Sequence, residues 1–412
     1  MELLEQLRDS LVERLLSNPE KLFESKKFLL FFTKSHNILK DYIPANNQSI
    51  CCLFGESRVI TKNCQNVKYS PKKNNKVIVT LPDGKQLLVK FYDNEDIDFT
   101  VSTYPSVPLK NVKNISVSSC MFPINFYEKY IELNDYLCDL FIGIILSTVY
   151  KKQDVLKGIV NYYGGATCVE RNIITDYYSD LFFNITIYSE SKNIGGTEYS
   201  GVKKDFFINI LKQVVANLLF LQQFGFNHGE LYINNLQYLD EDYRFEYQGI
   251  KGNSDFVIKI TNFKNSSMTI NTQNGPYRLY NYDLASKAYL QVFSFKPSIN
   301  KKYYVVDTLM TKSSYAVIRH MGIPFYISFD MYTLLISLYL NSDFLNTVLA
   351  DEELYTKFFY NIWANEKDVD KIYNELVKNL DKQNFDIIVD ILTGVNLRCD
   401  LMEYLKGELS QI

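Results

Sequence analysis

The hydrophobic periodicity of this chain changes along its length, and the change limits the folds that it can adopt. In residues 1–45 the leucines recur at helical spacing and predict two helices, over about 3–16 and 21–34. Residues 50–120 contain short alternating runs instead, which are typical of strands. Helical spacing returns after Ser200. A strand-rich N-terminal third and a helix-rich remainder predict a protein of the α+β class.

A β-hairpin is the clearest local prediction. Apolar residues dominate the runs 76–81 and 86–92, and Asp83-Gly84 between them favours a tight turn. The other predicted elements are a helix over 122–150, a strand pair around 162–165, a buried strand at 173–178, a helix from Asp205 to Phe224 that ends at Gly225, a polar insert at about 239–255, a strand over 256–263, and helices from about residue 328 onwards.

Composition narrows the classes of function. The chain has 412 residues, of which 47% are hydrophobic, so it can bury a large core. A formal net charge of −3 argues against a nucleic-acid coat, and we expect no specific nucleic acid partner. Seven irregularly spaced cysteines and only three histidines argue against a zinc site and favour a reducing, cytoplasmic location. The longest apolar run, 140–149, is about half of the roughly 20 residues that a membrane span needs, so we expect no transmembrane segment.

The segment from His228 to Asn235 carries the most informative motif. Its sequence, His-Gly-Glu-Leu-Tyr-Ile-Asn-Asn, resembles the catalytic loop of protein kinases, H-x-D-L-x-x-x-N. In that family the acid is the catalytic base and the Asn binds Mg²⁺. The resemblance implies that His228 and Glu230 are catalytic and that Asn235 contacts the metal and the nucleotide. The acid here is Glu in place of the family's Asp.

An apolar strand over 257–260 follows this loop and leads into a second motif. The sequence Thr-Asn-Phe-Lys at 261–264 resembles the metal-binding D-F-G segment of kinases, with Asn262 in place of Asp. The resemblance implies that Asn262 is a second Mg²⁺ ligand and that Phe263 is structural. Asp255-Phe256 offers an alternative register, which ranks lower because the apolar strand should precede the motif.

Lys90 and an acid on the following helix are the predicted pair upstream. The sequence Leu-Leu-Val-Lys at 87–90 resembles the V-A-I-K strand of kinases, which implies that Lys90 is catalytic and contacts the nucleotide. Kinases of large DNA viruses often show an E-x-x-x-G pattern in the next helix. This pattern selects Asp139 as the acid of the nucleotide site. Asp135 lies four residues earlier, on nearly the same helix face, and is the alternative.

Two further acids fit the same resemblance, which covers about residues 50–345. Asp330 opens an apolar helix and resembles the structural Asp that holds the catalytic-loop backbone of kinases. Its alternative interpretation is an ordinary acid favoured by the helix dipole. Asp176 lies where the hinge to adenine would fall, which implies a nucleotide contact.

Together these motifs resemble a protein kinase of the type found in large DNA viruses. The resemblance implies a two-lobed α+β fold, with an N-terminal helical extension at 1–48, a β-rich N-lobe at 49–178 and a helical C-lobe at 179–412. It also implies ATP and Mg²⁺ as cofactors and a protein as partner or substrate. If the source is viral, the location would be the host cytoplasm or the virion.

Three departures from the family pattern concern the chemistry. Residues 54–73 contain a single glycine, Gly55, so the Gly-rich loop is missing. Asn262 lacks a carboxylate charge at the metal, and one unit interaction at about 4 Å is worth roughly 4 kcal/mol at an effective dielectric of about 20. Glu230 carries its carboxylate farther out than Asp. We therefore expect an impaired phosphotransfer site, that is, a pseudokinase acting as a binding, regulatory or virion-associated module.

Two alternatives stay open on the sequence. An active, atypical serine/threonine kinase would use Glu230 as the base and Asn235 and Asn262 as metal ligands. A structural protein with fortuitous motifs would have no reason to bring these side chains together.

Overall fold

The structure is a computed structural model, and it describes residues 2–42, 67–69, 76–80, 86–93, 99–102, 129–171, 180–189, 192–193, 203–281, 293–297, 304–309, 329–339, 341–362 and 400–412. These residues form both helices and strands, as the α+β prediction requires. Within them, no helix is both long enough and apolar enough to cross a membrane.

The helices occur mainly at the two ends of the chain and around the middle. The α-helices of the described ranges are α1 (Glu2–Ser17), α2 (Pro19–Glu24), α3 (Leu29–Tyr42), α4 (Asp135–Lys151), α5 (Lys204–Gln222), α6 (Phe329–Tyr339), α7 (Ser342–Ala350), α8 (Glu352–Phe358) and α9 (Leu401–Gln411). Short 3-10 helices span Ile233–Asn235, Phe263–Asn265 and Tyr360–Ile362.

The strands lie between these helices. They are β1 (Val67–Tyr69), β2 (Lys76–Thr80), β3 (Gln86–Asp93), β4 (Phe99–Ser102), β5 (Lys129–Leu133), β6 (Tyr162–Arg171), β7 (Asp180–Ser189), β8 (Lys192–Asn193), β9 (Leu236–Tyr247), β10 (Ile250–Ile260), β11 (Ser267–Thr272), β12 (Gly275–Asn281), β13 (Phe293–Pro297) and β14 (Tyr304–Leu309). Their orders in the sheets of the described chain are β1-β2-β3-β7-β6, β10-β9-β8, β11-β12-β5-β4 and β13-β14.

The predicted hairpin is confirmed and belongs to the sheet that carries Lys90. Strands β2 and β3 pair antiparallel, with Val77 opposite Val89. The turn residues 82–85 lie outside the described ranges. On its other side β3 pairs with β7, where Lys90 is opposite Thr186.

Helix α4 lies at the centre of the core. Nearly all its residues are buried, and the Asn134 side chain caps it by accepting a hydrogen bond from the Leu137 amide at 3.0 Å. The N-terminal helices pack on it through aromatic rings, including Phe23 and Phe141, whose centroids are 5.2 Å apart. The turn Phe263–Asn265 contacts it from another side.

The helix predicted over 122–150 is wrong at its start. Residues 129–133 are strand β5, and the helix begins at Asp135. Within β5, Ile131 and Leu133 are buried while Glu132 is partly exposed, and the strand pairs in parallel with β12. Strand β12 follows residue 270 in the sequence, far from β5, so the spacing of apolar residues around β5 could not reveal this pairing.

The polar insert predicted at 239–255 is also wrong, because it forms one long hairpin of β9 and β10. Gln248 and Gly249 make the two-residue turn, with φ of 48° and 89°, the positive angles that such tight turns need. The buried rings of Tyr243 and Phe245 alternate with exposed charged residues. That alternation is the sequence signal that identifies the strand. The strand expected at 256–263 is therefore only the end of β10, which stops at Ile260.

Several other predicted boundaries also shift. The N-terminal region has three helices and not two, because Asn18 and Pro19 start a new helix at α2. The segment 162–165 lies inside strand β6 and does not separate two strands. Helix α5 confirms the long predicted helix, and Gly225, at φ 53°, follows its end. The predicted strand at 173–178 lies outside the described residues.

Candidate functional site

Asp139 is a fully buried carboxylate on α4 that four donors surround. One oxygen, Oδ2, accepts hydrogen bonds from Lys90 Nζ at 3.1 Å and from the Tyr92 hydroxyl. The other, Oδ1, accepts from the Tyr162 hydroxyl at 2.9 Å and from the Phe263 amide at 2.6 Å. Burial alone would raise the pKa of Asp139, but Lys90 and the other donors hold this pKa below its ordinary value. Asp139 is therefore the anionic centre of the site.

Lys90 joins Asp139 to the segment that resembles D-F-G. Its ammonium also donates to Asn262 Oδ1 at 2.8 Å, and it lies 4.5 Å from the centre of the Tyr92 ring. Of the two acids considered for Lys90, the ion pair is with Asp139. Asp135 instead accepts a hydrogen bond from Asn281 at 2.5 Å.

Asn262 connects Lys90 to the loop that resembles the catalytic loop. Its backbone has φ 69° and ψ 70°, a left-handed conformation that Asn tolerates better than most residues. Its Nδ2 donates to Asn235 Oδ1 at 3.1 Å, and Asn235 Nδ2 donates to the Glu230 carbonyl at 2.7 Å.

The orientation of both amide groups follows from their partners. The Glu230 carbonyl can only accept, so Asn235 must present its nitrogen there and its oxygen to Asn262. Asn262 must then donate with its nitrogen, and its oxygen is left to face the Lys90 ammonium. The two side-chain oxygens that the resemblance assigns to Mg²⁺ are both engaged in hydrogen bonds within the protein.

His228 is buried and neutral. Its Nε2 donates to the Thr261 carbonyl at 3.0 Å, and its Nδ1 accepts from the Glu230 amide at 3.3 Å. These two partners require the tautomer with the proton on Nε2. Burial lowers the pKa of His228 from 6.5 to about 4. The ring therefore holds the loop to the end of β10 without carrying a charge.

Asp330, at the start of α6, holds the same loop from the other side. It is 3% exposed, and it accepts from the His228 amide at 2.7 Å and from the Gly229 amide at 3.0 Å. These bonds confirm that Asp330 is buried and binds the backbone at His228, and they exclude an exposed helix-start acid. Burial raises its pKa from 3.8 to about 7, against the lowering effect of the two amides.

The position after His228 requires glycine for two reasons. Gly229 has φ 77°, and a Cβ added there would lie 2.2 Å from the Asn265 carbonyl oxygen. Such a contact is with backbone, which cannot move as a flexible side chain does. Gly229 therefore lets this loop pack closely on the turn Phe263–Asn265.

Glu230 is partly buried, and its side chain has a hydrogen bond from Asn265. Burial raises its pKa above the ordinary value, and the Asp135 charge adds to this rise. The ammonium groups of Lys264 and Lys90 act in the opposite direction. A rise in the pKa brings a carboxyl group closer to the range in which general bases work.

Phe263 is fully buried next to this network. Its ring centroid is 5.6 Å from those of both Tyr162 and His228, and 6.1 Å from that of Phe226. Because its amide also binds Asp139, this residue ties the aromatic cluster to the charged centre. Its position fits the structural role that the motif implies.

Within the described part of the chain, the alternative register for the D-F-G motif shows no hydrogen bond to Asp139 or Lys90. Asp255 is exposed on β10, and Phe256 packs against Phe206 of α5 at 4.8 Å. Asp176, the predicted hinge residue, lies outside the described residues. Within the described ranges, no three side chains of the types His, Cys, Asp and Glu are grouped as they would be around a metal ion.

Tyr92 and Tyr162 are site residues that the sequence analysis did not predict. Both tyrosine hydroxyls bind Asp139. A Cβ at Gly143 would lie 2.6 Å from the Tyr162 ring. The Asp-x-x-x-Gly spacing from Asp139 to Gly143 thus places a gap one helical turn after the acid, and the Tyr162 ring fills it. That glycine was the signal from which an aromatic neighbour could have been expected.

No protein-family model matches this sequence, and no curated protein matches it either.

Proposed function

We propose that this chain is a protein-kinase-like protein of viral type, with two lobes and an impaired phosphotransfer site. It acts as a pseudokinase, that is, as a binding or regulatory module or as a virion component that engages a protein partner. The proposal rests on the hydrogen-bonded series Asp139, Lys90, Asn262, Asn235 and Glu230.

The convergence of these residues supports the kinase-like part of the proposal. Lys90 and Asn262 are 172 positions apart in the chain, yet their side chains are hydrogen bonded. Fortuitous motifs in a structural protein would have no reason to meet in this way. The contacts join the residues that the family resemblance would pair: Lys90 with the helix acid Asp139, and Asn235 with Asn262.

The Asn262–Asn235 hydrogen bond supports the impaired part. Mg²⁺ is a hard cation that binds carboxylates and other free oxygen atoms. Here Asn262 Oδ1 faces a lysine ammonium, and Asn235 Oδ1 accepts an amide N–H. The donor set does not fit Mg²⁺, because the neutral amide of Asn262 occupies the position of a carboxylate and satisfies Asn235 without a metal.

An active, atypical kinase is the second candidate, and Glu230 is the observation that favours it. Its raised pKa and its place in the loop suit a general base. In such an enzyme a bound nucleotide and metal would have to displace the Asn262–Asn235 bond. Measured turnover therefore separates the two candidates.

Isothermal titration of Mg·ATP is the test, on the natural chain, on Asn262→Asp, and on Asn262→Asp combined with Glu230→Asp. An aspartate cannot donate to Asn235, so Asn262→Asp frees that oxygen and adds a charge. We expect Asn262→Asp to bind Mg·ATP at least about tenfold more tightly than the natural chain, a gain of about 1.4 kcal/mol. Removing Mg²⁺ with a chelator should abolish the gain.

Asn253→Asp is the matched control. It makes the same change of charge on the exposed part of β10 and should leave the affinity unchanged. If Asn262→Asp gains no more than this control, the missing charge is not what impairs the site. If the natural chain already binds Mg·ATP and transfers phosphate to a protein, it is the active kinase instead.

A further inference from the structure

Arg8 is a buried arginine on α1 that forms hydrogen bonds to residues at the start of β6. Its side chain is 0% exposed, and its Nη1 donates to Asn161 Oδ1 at 2.6 Å and to the Tyr162 carbonyl at 3.0 Å. Its charge is balanced by the neighbouring Asp9, whose carboxylate lies 2.9 Å from Nη2. A buried guanidinium with these contacts holds α1 against the side chain of Asn161 and the backbone carbonyl of Tyr162.

Tyr162 passes this constraint to the candidate site. Its ring packs directly against Gly143 of α4, because a Cβ at residue 143 would lie 2.6 Å from a carbon of this ring. Its hydroxyl donates to Asp139 Oδ1 at 2.9 Å and accepts from the Asn262 amide at 3.3 Å. The same residue therefore holds the acid that pairs with Lys90 and the backbone of the residue that occupies the metal position.

We infer that α1 controls the candidate site through Arg8 and Tyr162, which act as positioning residues. When α1 is seated, Arg8 sets the backbone at Tyr162, and the tyrosine hydroxyl sets Asp139 and Asn262. When α1 is displaced, the Tyr162 carbonyl loses its hydrogen bond from Arg8, while the Tyr162 amide keeps its bond to Ser147 Oγ at 2.8 Å. The acceptors of the Asn262 and Phe263 amides are then held less firmly. The N-terminal helix is thus a built-in regulator of this site. As far as nucleotide binding is concerned, the inference rests on the proposed function.

Hydrogen exchange of individual backbone amides tests the link in the full-length protein without any nucleotide. Arg8→Ala should speed exchange at Asn262 and Phe263 by about tenfold, although Arg8 touches neither, because the hydrogen bonds that protect these amides depend on Tyr162. Tyr162→Phe, which keeps the ring, should have a similar effect at Asn262. The double variant should exchange the Asn262 amide less than about twofold faster than the faster single variant. Both substitutions interrupt the same series of contacts, so their effects should not add.

Arg8→Lys tests for rescue, because it keeps a donor for the Tyr162 carbonyl and should restore most of the protection. Lys151→Met is the matched control. It removes another contact of α1, the surface pair of Lys151 with Glu5 and Asp9, which does not include Tyr162. We expect it to leave exchange at Asn262 and Phe263 within about twofold of the natural chain.

The inference is overturned if Arg8→Ala speeds exchange within α1 while Asn262 and Phe263 exchange as they do in Lys151→Met. Should Arg8→Ala fail to fold, Asn161→Ala replaces it, since this variant removes one of the two acceptors of Arg8 Nη1 and leaves the guanidinium in place. Because no readout involves ATP, failure here is distinct from failure of the Mg·ATP titration.

Discussion

Asp330 and His228 are adjacent ionisable residues whose pKa values burial shifts in opposite senses. Burial raises the pKa of Asp330 from 3.8 to about 7, so the folded protein binds more protons than the unfolded chain within this range. Burial lowers the pKa of His228 from 6.5 to about 4, so there the unfolded chain binds more protons. As the pH falls, Asp330 therefore stabilises the folded protein and His228 destabilises it. The two effects largely offset each other between about pH 4 and 6.5.

Asp330→Asn removes the titration of Asp330. The pH dependence of stability that His228 causes is then no longer offset. We expect the stability of the natural chain relative to this variant to increase as the pH is lowered from 7 to 4, by at most about 1.4 kcal/mol per pH unit. Urea unfolding of both proteins at several pH values measures this difference. A difference that is independent of pH, or that grows towards high pH, would contradict the assignment.

Asp330→Ala should destabilise the protein clearly at neutral pH. It leaves two backbone amides at the candidate loop without their acceptor, and each unsatisfied buried donor costs about 1–3 kcal/mol. We expect a loss of at least about 2 kcal/mol in urea unfolding. The exposed Asp255→Ala should change stability by no more than about 0.5 kcal/mol. Equal effects of the two variants would mean that Asp330 does not hold the loop.

The individual residues of the site differ in how far the sequence predicts them. Lys90, Asn262 and Asp330 stand in motifs whose spacing is fixed by local structure, so they could be named. Tyr92 and Tyr162 lie 47 and 23 positions from Asp139 and meet it from two strands of one sheet. No spacing rule relates a strand tyrosine to a distant helix acid, and only the packing around Gly143 brings Tyr162 there.

At the scale of elements, α4 has no side chain at Gly143, and the Tyr162 ring packs into that space. Gly143→Ala tests whether this packing requires glycine. Alanine normally stabilises a helix by about 1 kcal/mol relative to glycine. Here its Cβ would lie within 2.7 Å of three ring carbons of Tyr162, so we expect a net loss of about 1–3 kcal/mol. Urea unfolding measures the change.

Gly407→Ala in α9 is the matched control. Among the described residues, a Cβ at Gly407 would have no atom within 4 Å, so this variant should gain about 0.5–1 kcal/mol. The two substitutions are chemically identical and should have opposite signs. If Gly143→Ala also stabilises the protein, the ring of Tyr162 does not depend on the gap.

Elements with strong local signals were predictable, and those defined by distant partners were not. The β2-β3 hairpin, α5 and α6 follow from turn residues and periodicity. Strand β5 has no local signal, because its partners β4 and β12 are both distant in the sequence, β12 by more than a hundred residues. The β9-β10 hairpin had a readable alternation around Tyr243 and Phe245, but its charged residues made it look like an insert.

At the scale of the whole molecule, Lys90 joins three segments that are far apart in the sequence. It comes from the five-stranded sheet, Asp139 from α4, and Asn262 from the turn that follows β10. The side chain of Lys90 is 15% exposed and that of Asp139 is fully buried. A paired, buried carboxylate becomes an uncompensated charge when its cation is removed.

Lys90→Met should therefore cost about 3–5 kcal/mol in urea unfolding at pH 7. The matched control is Lys129→Met, which removes a lysine from an ion pair with Glu20 whose two side chains are each about a third exposed. It should cost no more than about 1 kcal/mol.

The pH dependence provides a second criterion. Without Lys90, burial raises the pKa of Asp139, so protonation relieves the buried charge and the deficit should shrink as the pH falls from 7 towards 4. A deficit no larger than that of the control, or one that grows in acid, would mean that this ion pair does not hold the three segments together.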